Sequence, residues 1–158
     1  MKNLMIIVAV VISLNANAQL LKESGEYVYH KTVRQPASQE AIYAGVIEWA
    51  NNEYNGNSGS IKSYSAEKGH VVIQGRLEHT VHGIPRSIQY ELIIDIKRSM
   101  YRTIYKDFTY RGKEGIQQPF ESNKLSGKKH IIQFTGEKID AISRELKEFV
   151  AGDIVATK

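Results

Sequence analysis

Apolar and polar residues change rhythm several times along this chain, and each change marks an element. Leu4 to Leu14 (LMIIVAVVISL) is apolar except for Ser13; Lys2 precedes it and Asn15-Ala16-Asn17-Ala18 follows. A basic start, a short apolar run and small residues spaced by one before a cut are the parts of a cleavable secretory signal. The pattern therefore predicts a signal peptide over residues 1–18, with Ala16 and Ala18 read by the peptidase and Gln19 as the new N-terminus. The run is shorter than the ~20 apolar residues a membrane span requires, and no second long apolar run follows it.

Residues 19–25 read as a loose leader. Glu26 to Arg34 (EYVYHKTVR) has the Tyr, Val and Thr content of a strand. Pro36 breaks it, and Ser38 is placed to cap a helix running to about Glu53. Tyr43, Val46, Ile47, Ala50 and Tyr54 recur at helical spacing there, with Trp49 beside the stripe. After the loop Asn55–Gly59 the period becomes two. Ser60–Ser65 is a short strand, Glu67-Lys68-Gly69 a turn, and His70–Val81 a longer strand with Val71, Ile73 and Leu77 on one face. His82-Gly83-Ile84-Pro85 turns the chain again. Arg86–Lys97 then alternates, with Ile88, Tyr90, Leu92, Ile94 and Ile96 on one side and Gln89, Glu91, Asp95 and Lys97 on the other. Such alternation marks a sheet buried on one face. Tyr101–Tyr110 is the next strand, and the mixed pattern at its end predicts a bulge. Residues 111–130 read as a polar, Gly-rich excursion, and His130–Phe134 fits either strand or turn. Glu137–Ala151 is a helix with the stripe Ile139, Ile142, Leu146 and Phe149, ended by Gly152.

These elements predict an α+β domain over 26–152 in the order β-α-β-β-β-β-α, followed by a tail at 153–158. An antiparallel sheet of about five strands with both helices on its apolar face satisfies every stripe. The chain has no cysteine. That closes the route to a lipoprotein anchor, to a disulfide-stapled fold and to a cysteine nucleophile. The net charge of +4 is a modest imbalance, which neither demands nor excludes an acidic partner.

Three segments in order carry a family resemblance. They are the strand and helix containing Ile47-Glu48-Trp49; the turn and strand Lys68-Gly69-His70-Val71-Val72-Ile73-Gln74-Gly75; and Tyr90–Lys97 followed by Tyr101-Arg102 and Asp107-Phe108. Over about residues 26–111 the chain resembles the secreted bacterial "domain of unknown function 4468" family, described as having a TBP-like fold. The resemblance implies a curved antiparallel sheet with helices on one side. It implies no activity, and it stops at the stretch 111–130, which does not align. The fold name carries no expectation of nucleic-acid binding, because fold does not fix function. TBP-type binding also needs apolar wedges that unstack bases, whereas the open face here reads as polar.

Catalytic constellations are sparse. The sequence has no G-x-S-x-G elbow, phosphate loop or H-E-x-x-H helix. Of the five histidines, His79 and His82 are close in sequence, but strand residues three apart face opposite ways unless a bulge or turn intervenes. Glu91 and Asp95 share a face at a separation of ~13 Å along a strand, beyond the roughly 5–9.5 Å of glycosidase pairs. No metal site and no cofactor are expected. Alternation places Tyr64, Val72, Gln74, Arg76, Gln89, Glu91, Ile93, Arg102, Ile104 and Lys106 on the open sheet face. That mixture suits a polar or anionic ligand, a peptide strand or a second copy of the chain. The expected function is a non-enzymatic binding or interaction domain in the periplasm or outside the cell, acting through the open face or the 111–130 loop. The alternative is a structural, self-associating or docking subunit of an envelope assembly. A hydrolase would require Asp95, His79, His82 and Glu91 to converge in part.

Overall fold

The computed structural model describes residues 20–156. The expected signal peptide with Ala16, Ala18 and Gln19, and the last two residues of the tail, lie outside that range. No helix among the described residues is long and apolar enough to cross a membrane.

The chain forms β1 (Leu21–Glu23), β2 (Glu26–Arg34), α1 (Gln39–Glu53), β3 (Gly59–Ser65), β4 (His70–Val81), β5 (Ile84–Lys97), β6 (Met100–Arg111), β7 (Gln117–Pro119) and α2 (Lys128–Ala156). The strands make a seven-stranded antiparallel sheet in the order β1-β2-β6-β5-β4-β3, with β7 also paired to β6. The architecture is α+β, and both helices lie on one sheet face. Strand alternation is the cause. Val71 and Ile73 of β4, Tyr90, Leu92, Ile94 and Ile96 of β5, and Tyr101 and Tyr105 of β6 turn inward and are buried.

Two three-residue strands raise the count above the five expected. Within the expected leader, Leu21–Glu23 form β1, joined to β2 through Ser24 and Gly25, both at positive φ. Two left-handed residues make the tight hairpin turn whose twist matches paired strands. Within 111–130, β7 returns to pair with Thr109–Arg111, and Phe120 and Leu125 bury themselves in the core. The excursion is thus a plug anchored by two apolar residues. Phe120 stacks on Phe108 at 5.3 Å between centroids.

The α1 stripe is rotated from the expected one. Ile42, Gly45, Val46, Trp49 and Ala50 are buried, and Tyr43 and Ile47 flank them half-buried. Trp49 is the centre of the face. Ser38 caps the helix as expected, its hydroxyl accepting from the Ala41 N–H. Helix α2 is longer than Glu137–Ala151 at both ends. Ile131, Thr135, Ile139, Leu146, Val150 and Ile154 continue one buried stripe. Packing of that stripe outweighs the poor helix propensity of Gly136 and Gly152. The Thr135 hydroxyl donates to the Ile131 carbonyl at 2.6 Å, which satisfies a buried polar group inside the helix.

The bulge expected at the end of β6 is present. Gln89 pairs with Thr109 and Glu91 with Lys106, so Asp107 and Phe108 oppose the single residue Tyr90. Asp107 takes a positive φ of 55° there. The core is strongly aromatic. Two pairs of buried hydroxyls meet, Tyr54 with Tyr90 at 3.0 Å and Tyr105 with Ser143 at 3.2 Å, as buried tyrosines usually do.

Candidate functional site

The register sorts the open face into rows. His70, Asp95 and Arg102 form one, Val72, Ile93 and Ile104 the next, Gln74, Glu91 and Lys106 the third, and Arg76 with Gln89 the fourth. The sequence-derived set is therefore brought together, with one exception. Tyr64 pairs with the buried Val71, which puts it on the helix side of the sheet. A register shift between Ile61 and Ser63 flips the remainder of β3, as one inserted residue must when the side-chain period is two. Tyr64 stays 68% exposed because β3 is the sheet's edge.

The charges of this face are largely spent on one another. Asp95 accepts from His70 at 2.8 Å and from Arg102 at 3.0 Å. Lys106 lies 3.3 Å from Glu91 and from Asp107, and Arg76 lies 2.8 Å from Glu78. The Gln74 amide donates to the Tyr90 carbonyl. Partial burial pushes the Asp95 carboxyl up, but the hydrogen bonds and charges of His70 and Arg102 outweigh it and hold it below its ordinary value. The face is mutually neutralised, with a half-buried aliphatic row between two polar ones.

A second region, at the far end of the sheet, was not assembled by alternation. Strand β3 pairs with β4 only from His70 to Gly75, so the rest of the β4–β5 hairpin projects past it. The hairpin turns at His82 and Gly83, both at positive φ. Beneath its helix-side face the excursion and the first turn of α2 close a cleft of about 710 Å³. His79, His82 and Arg86 line it from the hairpin, Tyr110 from β6, Gln118 from β7, Lys124 to Gly127 from the excursion, and His130 from α2. The turn at His82 brings it to the same cleft as His79, which straight-strand geometry forbids. His79 stacks on Phe134 at 4.2 Å. Burial and the nearby Arg86 charge push its pKa down.

Three buried atoms here lack a hydrogen-bond partner: His79 Nδ1, Arg86 Nε and Gln118 Oε1. The others of this kind among the described residues, Trp49 Nε1 and Tyr101 Oη, belong to core side chains. Buried polar groups are normally paired, and an unpaired one calls for an explanation, a bound water, ion or ligand among them. No Asp or Glu lines the cleft. No group of His, Asp and Glu among the described residues is placed to hold a metal ion. Of the four residues a hydrolase reading draws on, His79 and His82 share the cleft, while Asp95 and Glu91 lie on the opposite sheet face and bring no carboxylate to it. The sequence signal that was present but unread is the pair of polar residues, His79 and Arg86, placed cross-strand on the core side of an otherwise apolar hairpin.

No protein-family model matches the sequence, and no curated protein matches it. Among solved structures, a TBP-like protein from Parabacteroides distasonis superposes with a TM-score of 0.73 at 15% identity, covering 83% of this chain and 96% of that one. A DUF4468 family protein from Bacteroides ovatus superposes with a TM-score of 0.57 at 15% identity, covering 87% of this chain and 88% of that one. Both agree with the resemblance read from the sequence, and identity at this level speaks for the fold. The chain has the TBP-like α+β fold shared with these two proteins.

Proposed function

We propose that this chain works outside the cytoplasm as a non-enzymatic binding domain whose ligand site is the cleft at the far end of the sheet. The observation that carries the reading is that three residues lining one cavity, His79, Arg86 and Gln118, each hold a buried side-chain atom without a hydrogen-bond partner. Its volume of about 710 Å³ lies within the roughly 300–1,000 Å³ of small-molecule sites. The extracytoplasmic location is supported by the signal-like start.

Native mass spectrometry of the protein purified from its own envelope fraction tests both parts. The expected species begins at Gln19 and carries extra mass of a small molecule. Ser126→Trp, an exposed position on the cleft rim, removes the extra mass, and Ile93→Glu on the open face keeps it. Bound mass that survives Ser126→Trp overturns the cleft as the site, and an uncut N-terminus overturns the location.

A second reading, a docking or self-associating subunit, is favoured by the aliphatic row Val72, Ile93 and Ile104. In that case the native spectrum shows a multiple of the chain mass or a second polypeptide, and Ile93→Glu abolishes it.

A further inference from the structure

We infer that the ligand of this cleft is a small organic anion, a carboxylate or phosphate ester that also carries a hydroxyl group. The inference rests on the cleft being the ligand site and specifies what it takes. Arg86 and Lys124 bring fixed positive charge to the wall, His82 and His130 add imidazoles, and no carboxylate faces them. On the open face every cation row is answered by Asp95, Glu91 or Glu78; here the cations lack that answer.

The unpaired atoms define the complement more closely. Arg86 Nε–H is a donor and requires an acceptor. His79, the cross-strand partner of Arg86, can also donate from Nδ1 when the imidazole proton sits on that nitrogen. An oxyanion accepts from both. Gln118 Oε1 accepts and therefore requires a donor, which an oxyanion lacks and a hydroxyl supplies. A bare ion would leave most of the 710 Å³ unfilled, since a water-sized species occupies about 30 Å³. A cationic or purely apolar ligand would leave Arg86 Nε without an acceptor, a costly arrangement for a group of a charged side chain.

The shared chemistry is that of a sugar acid or a sugar phosphate, and the test separates the two. Isotope-labelled protein is titrated with glucuronate, glucose 6-phosphate, neutral glucose and inorganic phosphate while amide and Arg86 Nε–H resonances are followed. Saturable shifts at Gly112, Ser126 and Gly127 are expected with at least one organic anion, with glucose about tenfold weaker or more. Arg86→Met and, separately, His79→Phe each weaken the anion about tenfold while the core resonances stay in place; the phenyl ring keeps the stack on Phe134. Glucuronate and glucose 6-phosphate divide the carboxylate source from the phosphate source.

Glucose binding the cleft as well as the anions overturns the charge inference and leaves the cleft as a ligand site. Shifts spread over exposed lysines and arginines, unchanged by Arg86→Met, overturn it as non-specific ion binding. No cleft shifts with any probe at millimolar concentration also overturn it, because ordered water then suffices for the three atoms. The bound mass in the native spectrum judges the parent reading separately in each case.

Discussion

At the scale of single residues, Gly75 shows how close packing dictates identity where backbone conformation does not. It has no positive φ, yet it sits directly opposite Tyr90 on the core side of β4. A Cβ built there overlaps the Tyr90 ring. The bare Cα lets that ring lie across the strand and its hydroxyl meet Tyr54. Gly75→Ala is expected to cost about 1–3 kcal/mol, the usual penalty for overpacking a full core. Denaturant unfolding checks it, and Tyr90→Leu added to Gly75→Ala should recover part of the loss, because the two changes share one clash. An unchanged midpoint for the single variant would mean that the ring moves aside freely.

The elements divide by how much of their cause is local. Strands β4, β5 and β6 and helix α1 were legible because their inward residues repeat at the period of their own structure. The β6 bulge was legible because that repeat fails near Asp107. What escaped depended on tertiary partners. Strand β1 is too short to show alternation, β7 is polar and held by β6, and Phe120 and Leu125 look like isolated apolar residues until the core receives them. The cleft escaped for the same reason, since its walls come from a hairpin, an edge strand, a loop and a helix start. Helix α2 illustrates the conflict in one residue. Gly152 reads as a stop, yet the helix runs through it to Ala156. The position is exposed and nothing lies within 4 Å of an added Cβ. Gly152→Ala should therefore stabilise the protein by about 0.5–1 kcal/mol, through helix propensity and a less flexible unfolded chain. A thermal melt of the variant decides it; a lower melting temperature would mean that the helix ends where the sequence pattern suggested.

Across the whole molecule, polar groups are treated in two ways, and the contrast leads to the last two expectations. In the core, burial pushes the phenols of Tyr90 and Tyr29 up to about 12, and the Asp140 carboxylate that accepts from Tyr29 adds to the rise there. Burial raises Tyr54, Tyr101 and Tyr105 as well. A phenol whose folded pKa lies above its unfolded value near 10 keeps the native state proton-rich. Its contribution to stability is complete below pH ~10 and is lost as pH rises from there toward ~12. Tyrosinate absorbance from these rings should accordingly rise together with the loss of circular dichroism. Ionisation of all nine tyrosines with native dichroism intact would contradict their burial.

At the far end of the sheet the opposite holds, because Gln118 Oε1 is buried without a partner. An unsatisfied buried acceptor costs about 1–3 kcal/mol, and an apolar replacement of similar shape removes that cost. Gln118→Leu should therefore raise the stability of the ligand-free protein by about 1 kcal/mol and weaken binding of the hydroxyl-bearing anion. Stability gained at the expense of binding is the mark of a polar group kept for a ligand. Unfolding curves recorded with and without glucuronate or glucose 6-phosphate separate the two effects. If Gln118→Leu destabilises the free protein, the amide already has a partner within the fold, and the cleft loses one of the three atoms that define its ligand.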